Sequence, residues 1–600
     1  MKNHVPMFVA TLCGVLITKA GYSQGNLTPP GAPAPTMKTL DQIEPRTPIS
    51  SLPFTIAQPG SYYLAMNLTG GASGGITIST NDVTLDLKGF VLAGGTGTGI
   101  LVGDISNPRR NIAIRNGTIR GWSAGGVSAN FSSGLQFDQL RVSHNVGTGI
   151  AAGSASLVQN CVVTTNSTIG IFLGGGTVQD CVVSSNRTDG IQIATGRAVN
   201  NTVDRNGGPG IRVTSVGQGP RIEGNLVTRN AMGLRLDSSG SVVLNNIVKD
   251  NTDNYSFVGG NQLNLLLSQI PESIDWPASV VLAGSLTGVA GSNGISVTSS
   301  DVTIDLAGHA LIGVAGSLTG VVASVTVSNL AVRNGTVRNW GADGVGVANA
   351  HSGQYQDLRL AANAGHGLRC NDGSVVVNCT AESNGDRGIL AIASTLSHCS
   401  ARRNANVGFD AAFGCTVSDC TAYRNGTGIS ASQGCMVSGC TAYFNTADGI
   451  SVFVGCTVSG CTAYLNNTNG ISASGSTVRG CTANGNSNAG IQASGGCRVA
   501  DNHCTGNPGA GIVAYSDSLN YIEGNNVTDN GAGITVNSSG NLIIRNTASG
   551  NYTDIYDTNY EIVSGNKVGT VVSAATSGLI VGSSGGNGVG TTDPWANLSF

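Results

Sequence analysis

Charge and aromatic side chains are scarce in this chain: of 600 residues only 10% are charged and 5% aromatic. A globular domain ordinarily carries about a quarter charged residues, so a broad core under a charged shell is a poor description of it. The formal net charge is −3 and no run of Lys or Arg occurs. That leaves no electrostatic footprint for nucleic acid, and any groove for an anionic polymer has to be local. No apolar spacing of three and four persists anywhere, which excludes a helical repeat. After residue 23 no apolar run reaches membrane-spanning length, so no transmembrane segment is expected there.

Glycine and repetition are what the chain has instead, with 89 Gly. From Gly414 onward one phrase recurs: GCTVSDCTAYRNGTGIS, GCMVSGCTAYFNTADGIS, GCTVSGCTAYLNNTNGIS, GSTVRGCTANGNSNAGIQ. The period, 20 to 21 residues, is too short for a helical hairpin and suits one turn of a solenoid of short strands. Aligned on it, Cys379, Cys399, Cys420, Cys440, Cys461 and Cys481 form one column, and Asn384, Asn404, Asn425, Asn445, Asn466 and Asn486 another. With coils rising by one strand spacing, roughly 4.8 Å, Ile, Val and Cys fill a thin core and the Asn amides bond one another. The Gly before each apolar strand start (Gly428-Ile429, Gly449-Ile450, Gly470-Ile471) is expected to supply unusual backbone angles at the turn.

These Asn, Gly-Ile and Cys columns resemble the right-handed parallel β-helix repeats of the pectin-lyase-like superfamily, of the carbohydrate-binding and sugar-hydrolase type. The resemblance implies an all-β fold, a right-handed parallel β-helix solenoid. It implies little about activity.

The text of the solenoid is written twice. Asp82-Val83-Thr84-Leu85-Asp86 answers to Asp301-Val302-Thr303-Ile304-Asp305, and Arg115-Asn116-Gly117 through Trp122 to Arg333-Asn334-Gly335 through Trp340. The expected organisation is a signal peptide over 1–23, a Pro/Gly-rich linker over 24–42, and a first β-helix copy over 43–268. A second, longer copy follows over 269–572, with a Gly/Ser-rich tail or cap over 573–600. Pro271 and Pro277 interrupt strand pairing near the join. The leader implies an exported protein, secreted or otherwise extracellular, at the cell surface or periplasmic. Cys13 leaves with the leader, so fourteen cysteines remain. Export suggests disulfides, whereas stacked parallel Cβ vectors suggest buried free thiols. A few bridges involving Cys415, Cys435, Cys456 or Cys497 stay open. Facing inward without histidine partners, the thiols are not expected to hold a metal, and no cofactor is implied.

Two outward columns are candidates for function. The residue before each Gly-Ile step reads Asp343, His366, Arg387, Val407, Thr427, Asp448, so an acid, an imidazole and a cation stack in consecutive coils with Asp386 beside them. Such a set could serve glycosidic cleavage or proton abstraction beside a uronate. Polygalacturonases carry a comparable Gly-His-Gly, here Gly365-His366-Gly367, together with an Asp-Asp pair and an Arg-Ile-Lys segment that this chain lacks. The second column is Tyr423, Tyr443 and Tyr464, which alternation sends outward. It is either a platform for the flat face of a sugar chain, with Phe444 at its edge, or a self-stacking ladder. The paired Asp82, Asp86, Asp301 and Asp305 read as turn residues bonding local backbone, and Trp122 and Trp340 as packing under a lateral loop. Binding of polysaccharide is the expected function, leaning away from catalysis. The alternatives are a polysaccharide lyase or glycoside hydrolase on the second copy and a passive structural or adhesive rod.

Overall fold

In a computed structural model the chain is a parallel β-solenoid, described for residues 46–599 apart from 73, 215–218, 516–518, 554–555 and 574–592. The leader, the whole linker, the first residues of the first copy and much of the tail lie outside the described residues. No helix occurs among the described residues, so none is long and apolar enough to cross a membrane. Each coil supplies three short strands. In one coil they are Thr416–Ser418 on face one, Thr421–Tyr423 on face two and Thr427–Ala431 on face three. Successive coils pair in parallel and in register, Thr421 with Thr441, then Thr462, then Thr482.

Inward positions are small and apolar because the core is one side chain deep. Val417, Ala422 and Ile429 of this coil are fully buried, as are their partners Val437, Ala442 and Ile450. Each corner is sharp and carries its own solution to the backbone. At the bend after face two the residue before the ladder Asn takes a left-handed φ: Arg403 (55°), Arg424 (57°), Phe444 (54°), Leu465 (55°). The next side chain then points inward and caps the coil before it. Asn425 N–H and Nδ2 both donate to Asn445 Oδ1, at 3.0 and 3.2 Å, while Asn445 Nδ2 donates to Ala422 O at 3.2 Å and to Asn466 Oδ1 at 2.9 Å. Buried amides thereby satisfy backbone groups that no strand partner reaches.

The cysteines obey the same rule. Cys415 N–H donates to Cys435 Sγ at 3.3 Å and Cys435 N–H to Cys456 Sγ at 3.4 Å. Cys456 N–H donates to Ser476 Oγ at 3.1 Å, and Cys497 N–H to Asn520 Oδ1 at 2.9 Å. Cys, Ser and Asn are interchangeable there as inward acceptors. All fourteen described cysteines are free and buried.

The Gly-Ile glycines differ from expectation. Gly428, Gly449 and Gly470 do not have left-handed φ. A Cβ on Gly428 would lie 2.4 Å from Gly449 O and 2.7 Å from Asn445 Nδ2. The ladder amide presses on the strand start, so glycine is demanded by close approach and the unusual angles sit at the bends. Trp122 and Trp340 likewise sit inside the core rather than under a lateral loop, fully buried against Gly70 and Gly75 and against Gly288 and Gly294. Their backbone N–H groups donate to the first amide of each ladder, Asn145 at 3.0 Å and Asn363 at 3.1 Å. Asp86 and Asp305 cap turns, accepting from Lys88 N–H and Ala307 N–H, both at 2.8 Å.

Face three is broken once. Ten strands from Phe54–Ile56 to Asp253–Phe257 form one sheet, and fourteen from Glu272–Ile274 to Tyr560–Ile562 another. The other sheet runs through the join, because Gln262–Leu267 pairs with Val242–Lys249 on one side and Ala278–Leu282 on the other. Pro271 and Pro277 flank the first strand of the second stack.

Candidate functional site

The ionisable column lies at the edge of face three in the second stack, and its members meet. His366 N–H donates to Asp343 Oδ1 at 2.8 Å, and Arg387 N–H to His366 Nδ1 at 3.4 Å. His366 Nδ1 lies 3.5 Å from Asp386 Oδ2, and Arg387 Nη1 lies 3.4 Å from the same oxygen. Arg387 Nε also donates to Asp410 Oδ2 at 2.5 Å. Asp410 falls in a different column and escaped the sequence reading. Asp343 and His366 each cap a backbone N–H of the following coil, whereas the ladder amides cap the preceding one, and Asp448 repeats the pattern by accepting from Asn469 N–H at 3.0 Å. The imidazole is largely buried, and its Nδ1 faces both the Arg387 N–H and the Asp386 carboxylate.

The first stack has a counterpart that one column alone could not reveal. Arg212 Nη1 lies 3.7 Å from Asp189 Oδ2, and Asp237 accepts from Arg212 Nε at 2.7 Å and Arg235 Nε at 2.6 Å. Burial pushes the Asp189 carboxyl above the usual carboxylate range, against the pull of Arg212. A groove of about 420 Å³ beside it, between Ser128, Ala151, Phe172 and Gln192, is lined by no ionisable side chain.

The tyrosine column lies on face two. Tyr423, Tyr443 and Tyr464 occupy one register position in successive coils, with ring centroids 4.9 and 4.8 Å apart and interplanar angles of 6° and 3°. The flat faces are turned on one another rather than outward, so the column presents ring edges and hydroxyls, one per coil. Phe444 closes one flank, edge-on to Tyr443 at 5.6 Å. Burial, then the two neighbouring phenols, raises the Tyr443 hydroxyl above the ordinary tyrosine value.

Below the tyrosines the same column turns ionic. Glu382 pairs with Arg402, and Arg402 with Tyr423, in strand register. Arg402 Nη2 donates to Glu382 Oε2 at 2.5 Å and its Nη1 to the Tyr423 hydroxyl at 3.3 Å. Arg359 and Arg403 approach the same carboxylate at 3.4 and 3.9 Å, and Arg424 stands exposed at the bend beside Tyr423. Three guanidinium groups, those of Arg359, Arg402 and Arg403, therefore surround one carboxylate at the foot of a hydroxyl row, with Arg424 exposed one coil further on. A surface of this kind attracts an anionic, hydroxyl-rich chain. Reading the tyrosine column two coils further toward the N-terminus would have exposed Arg402 and Glu382. Among the described residues no group of His, Cys, Asp and Glu side chains is arranged to hold a metal ion.

No curated protein sequence matches the chain. Among solved structures it resembles the Azotobacter vinelandii mannuronan C-5 epimerase AlgE6 A-module (16% identity, TM-score 0.36, covering 48% of this chain and 90% of that one). It also resembles the periplasmic alginate epimerase AlgG (11%, TM-score 0.25, 62% and 76%) and the pectate lyase Pel9A (15%, TM-score 0.23, 54% and 74%). These likenesses concern the fold alone. The sequence profile of the right-handed β-helix region matches residues 71–227, 378–477, 407–552 and 472–588, more than half of the chain. With coils stacked in parallel along lines of inward amides, the chain belongs to the right-handed β-helix family.

Proposed function

We propose that this protein is an exported polysaccharide-binding β-helix whose ligand lies along face two of the second stack. The chain of sugars runs parallel to the solenoid axis. The tyrosine hydroxyls meet its hydroxyl groups coil by coil, and Arg359, Arg402, Arg403 and Arg424 hold its acidic groups. The observation that carries the reading is the continuity of the column from Glu382 and Arg402 into three stacked tyrosines. A charge-assisted hydrogen bond is worth about 1.5–3 kcal/mol, so losing one contact weakens binding roughly tenfold or more.

The test is affinity electrophoresis on uronate-containing and neutral glycans. Retention on uronate gels should fall in Arg402→Ala and in Tyr443→Ala, with only the arginine variant losing the preference for acidic chains. Retention absent in the wild type, or untouched by both substitutions, would overturn the reading. A lyase or hydrolase acting near His366 is the second reading, favoured by the contact of five ionisable groups there. It requires unsaturated or reducing ends that vanish in His366→Ala, whereas a purely structural protein gives neither binding nor products. Export is tested by fractionating cells that carry the chain with and without residues 1–23.

A further inference from the structure

The join between the stacks concentrates features that occur together nowhere else among the described residues. Each ladder ends differently. In the second stack Asn551 Nδ2 donates to Asn559 Oδ1 at 2.8 Å, and the inward Tyr560 hydroxyl donates to Asn546 O and Leu598 O, at 2.8 and 2.9 Å. In the first stack Asn251 Nδ2 donates to Asn254 Oδ1 at 3.2 Å, and Asn254 Nδ2 passes the ladder to a carboxylate, Glu272 Oε2, at 3.0 Å.

Glu272 occupies an inward register position, opposite Ile295, where later coils place Val321, Val345 and Leu368. It makes no ion pair among the described residues. Across the break Tyr255 and Phe257 also point inward, in register with Leu234 and Leu236, and Trp276 packs edge-on over both at 6.0 and 4.8 Å. The hydroxyls of Tyr255 and Ser268 and the indole N–H of Trp276 are buried without a hydrogen-bond partner. Among the described residues strand pairing crosses the join only through Gln262–Leu267.

We propose that this join is a pH-operated hinge. A neutral Glu272 keeps the two face-three ends packed around Trp276, and its ionisation loosens them so that the stacks pivot about the sheet running through Gln262–Leu267.

The surroundings of the carboxyl fix the direction. Burial pushes it up to about 7 from an ordinary 4.5, the Asn254 amide pulls it down, and the negative Asp275 adds to the rise. The titratable groups facing it are Asp275, at the exit of its own strand, and Tyr255 across the break. Asp253 stands exposed at the start of the opposite strand, and the strand Ile295–Val297 packed beneath brings none. Because the packed state holds the proton more tightly than the loosened one, its advantage is complete below pH about 4.5. It is lost as pH rises through about 7, by a factor on the order of 100.

The experiment is hydrogen exchange on the full chain at about pH 5 and about pH 8, corrected for intrinsic rates, with and without Glu272→Gln. Amides of 253–257 and 272–276 should lose protection by on the order of 100-fold at the higher pH in the wild type and stay level in Glu272→Gln, while coils 421–473 are unchanged in both. Should Glu272→Gln fail to fold, Asp275→Asn replaces it: removing the negative neighbour shifts the wild-type transition to lower pH. Equal protection at both values in the wild type, an undiminished pH response in Glu272→Gln, or an unmoved transition in Asp275→Asn would overturn the hinge.

Discussion

Replacing Asn445 with Ala removes one rung from the middle of the second ladder. The side chain makes four hydrogen bonds, accepting two from Asn425 and donating one each to Ala422 O and Asn466 Oδ1. After truncation the Asn425 N–H and amide and the Ala422 carbonyl are left buried, while Asn466 Oδ1 keeps the Asn445 N–H at 3.1 Å. Three buried polar groups each lose a partner at about 1–3 kcal/mol, and partial relaxation brings the net cost to about 3–5 kcal/mol. Because a solenoid coil contacts only its neighbours, the loss should be local, read by hydrogen exchange as weakened protection in residues 421–471. The exposed Asn467, one residue beyond the next rung Asn466, is the control, and its Ala variant should change nothing measurable. A cost for Asn445→Ala below about 1 kcal/mol, or equal to that of Asn467→Ala, would refute the argument that the amides hold the corners.

The remaining expectations concern glycine, thiols and salt. Gly428→Ala should destabilise by about 3 kcal/mol because its Cβ meets backbone and amide atoms, whereas Gly434→Ala, at φ 65° with nothing within 4 Å, should cost only about 1 kcal/mol. The opposite order in chemical denaturation would restore the turn-angle explanation. All fourteen described cysteines are buried, so at about pH 8 none should react with Ellman's reagent until the protein is unfolded. Rapid labelling of the native protein, or fewer free thiols after unfolding, would contradict the buried reduced column. Retention on an acidic glycan should weaken several-fold as salt rises from about 50 to about 500 mM if the arginines carry it, and a salt-independent affinity would shift the weight to the tyrosine hydroxyls.

The architecture was legible because stacking writes itself into sequence: identical Asn and Cys columns have one economical explanation, and the tyrosines fell into line by alternation. Sequence alone misjudged roles where two residue types share one task. Cys435, Ser476 and Asn520 look unlike one another yet all accept a backbone N–H at the same corner, and the Gly-Ile glycine looks like a turn residue while Phe444 or Leu465, at the bend before the ladder Asn, carries the left-handed angle. Asp410 and Asp237 were missed because a charged contact crosses columns, whereas the reading followed one column at a time. Glu272 was overshadowed by its flanking prolines, although alternation in Glu272-Ser273-Ile274 already turns the carboxylate inward.

Since the directional demands of a coil are met at its corners by any inward acceptor, the coil behaves as a removable module. Excising residues 446–466 would rejoin Asn445 to Asn467 with the amide line, the apolar column and the register all intact. Gain or loss of whole turns can thus lengthen or shorten the outward text, including its tyrosines and arginines, while the interior grammar is left unedited.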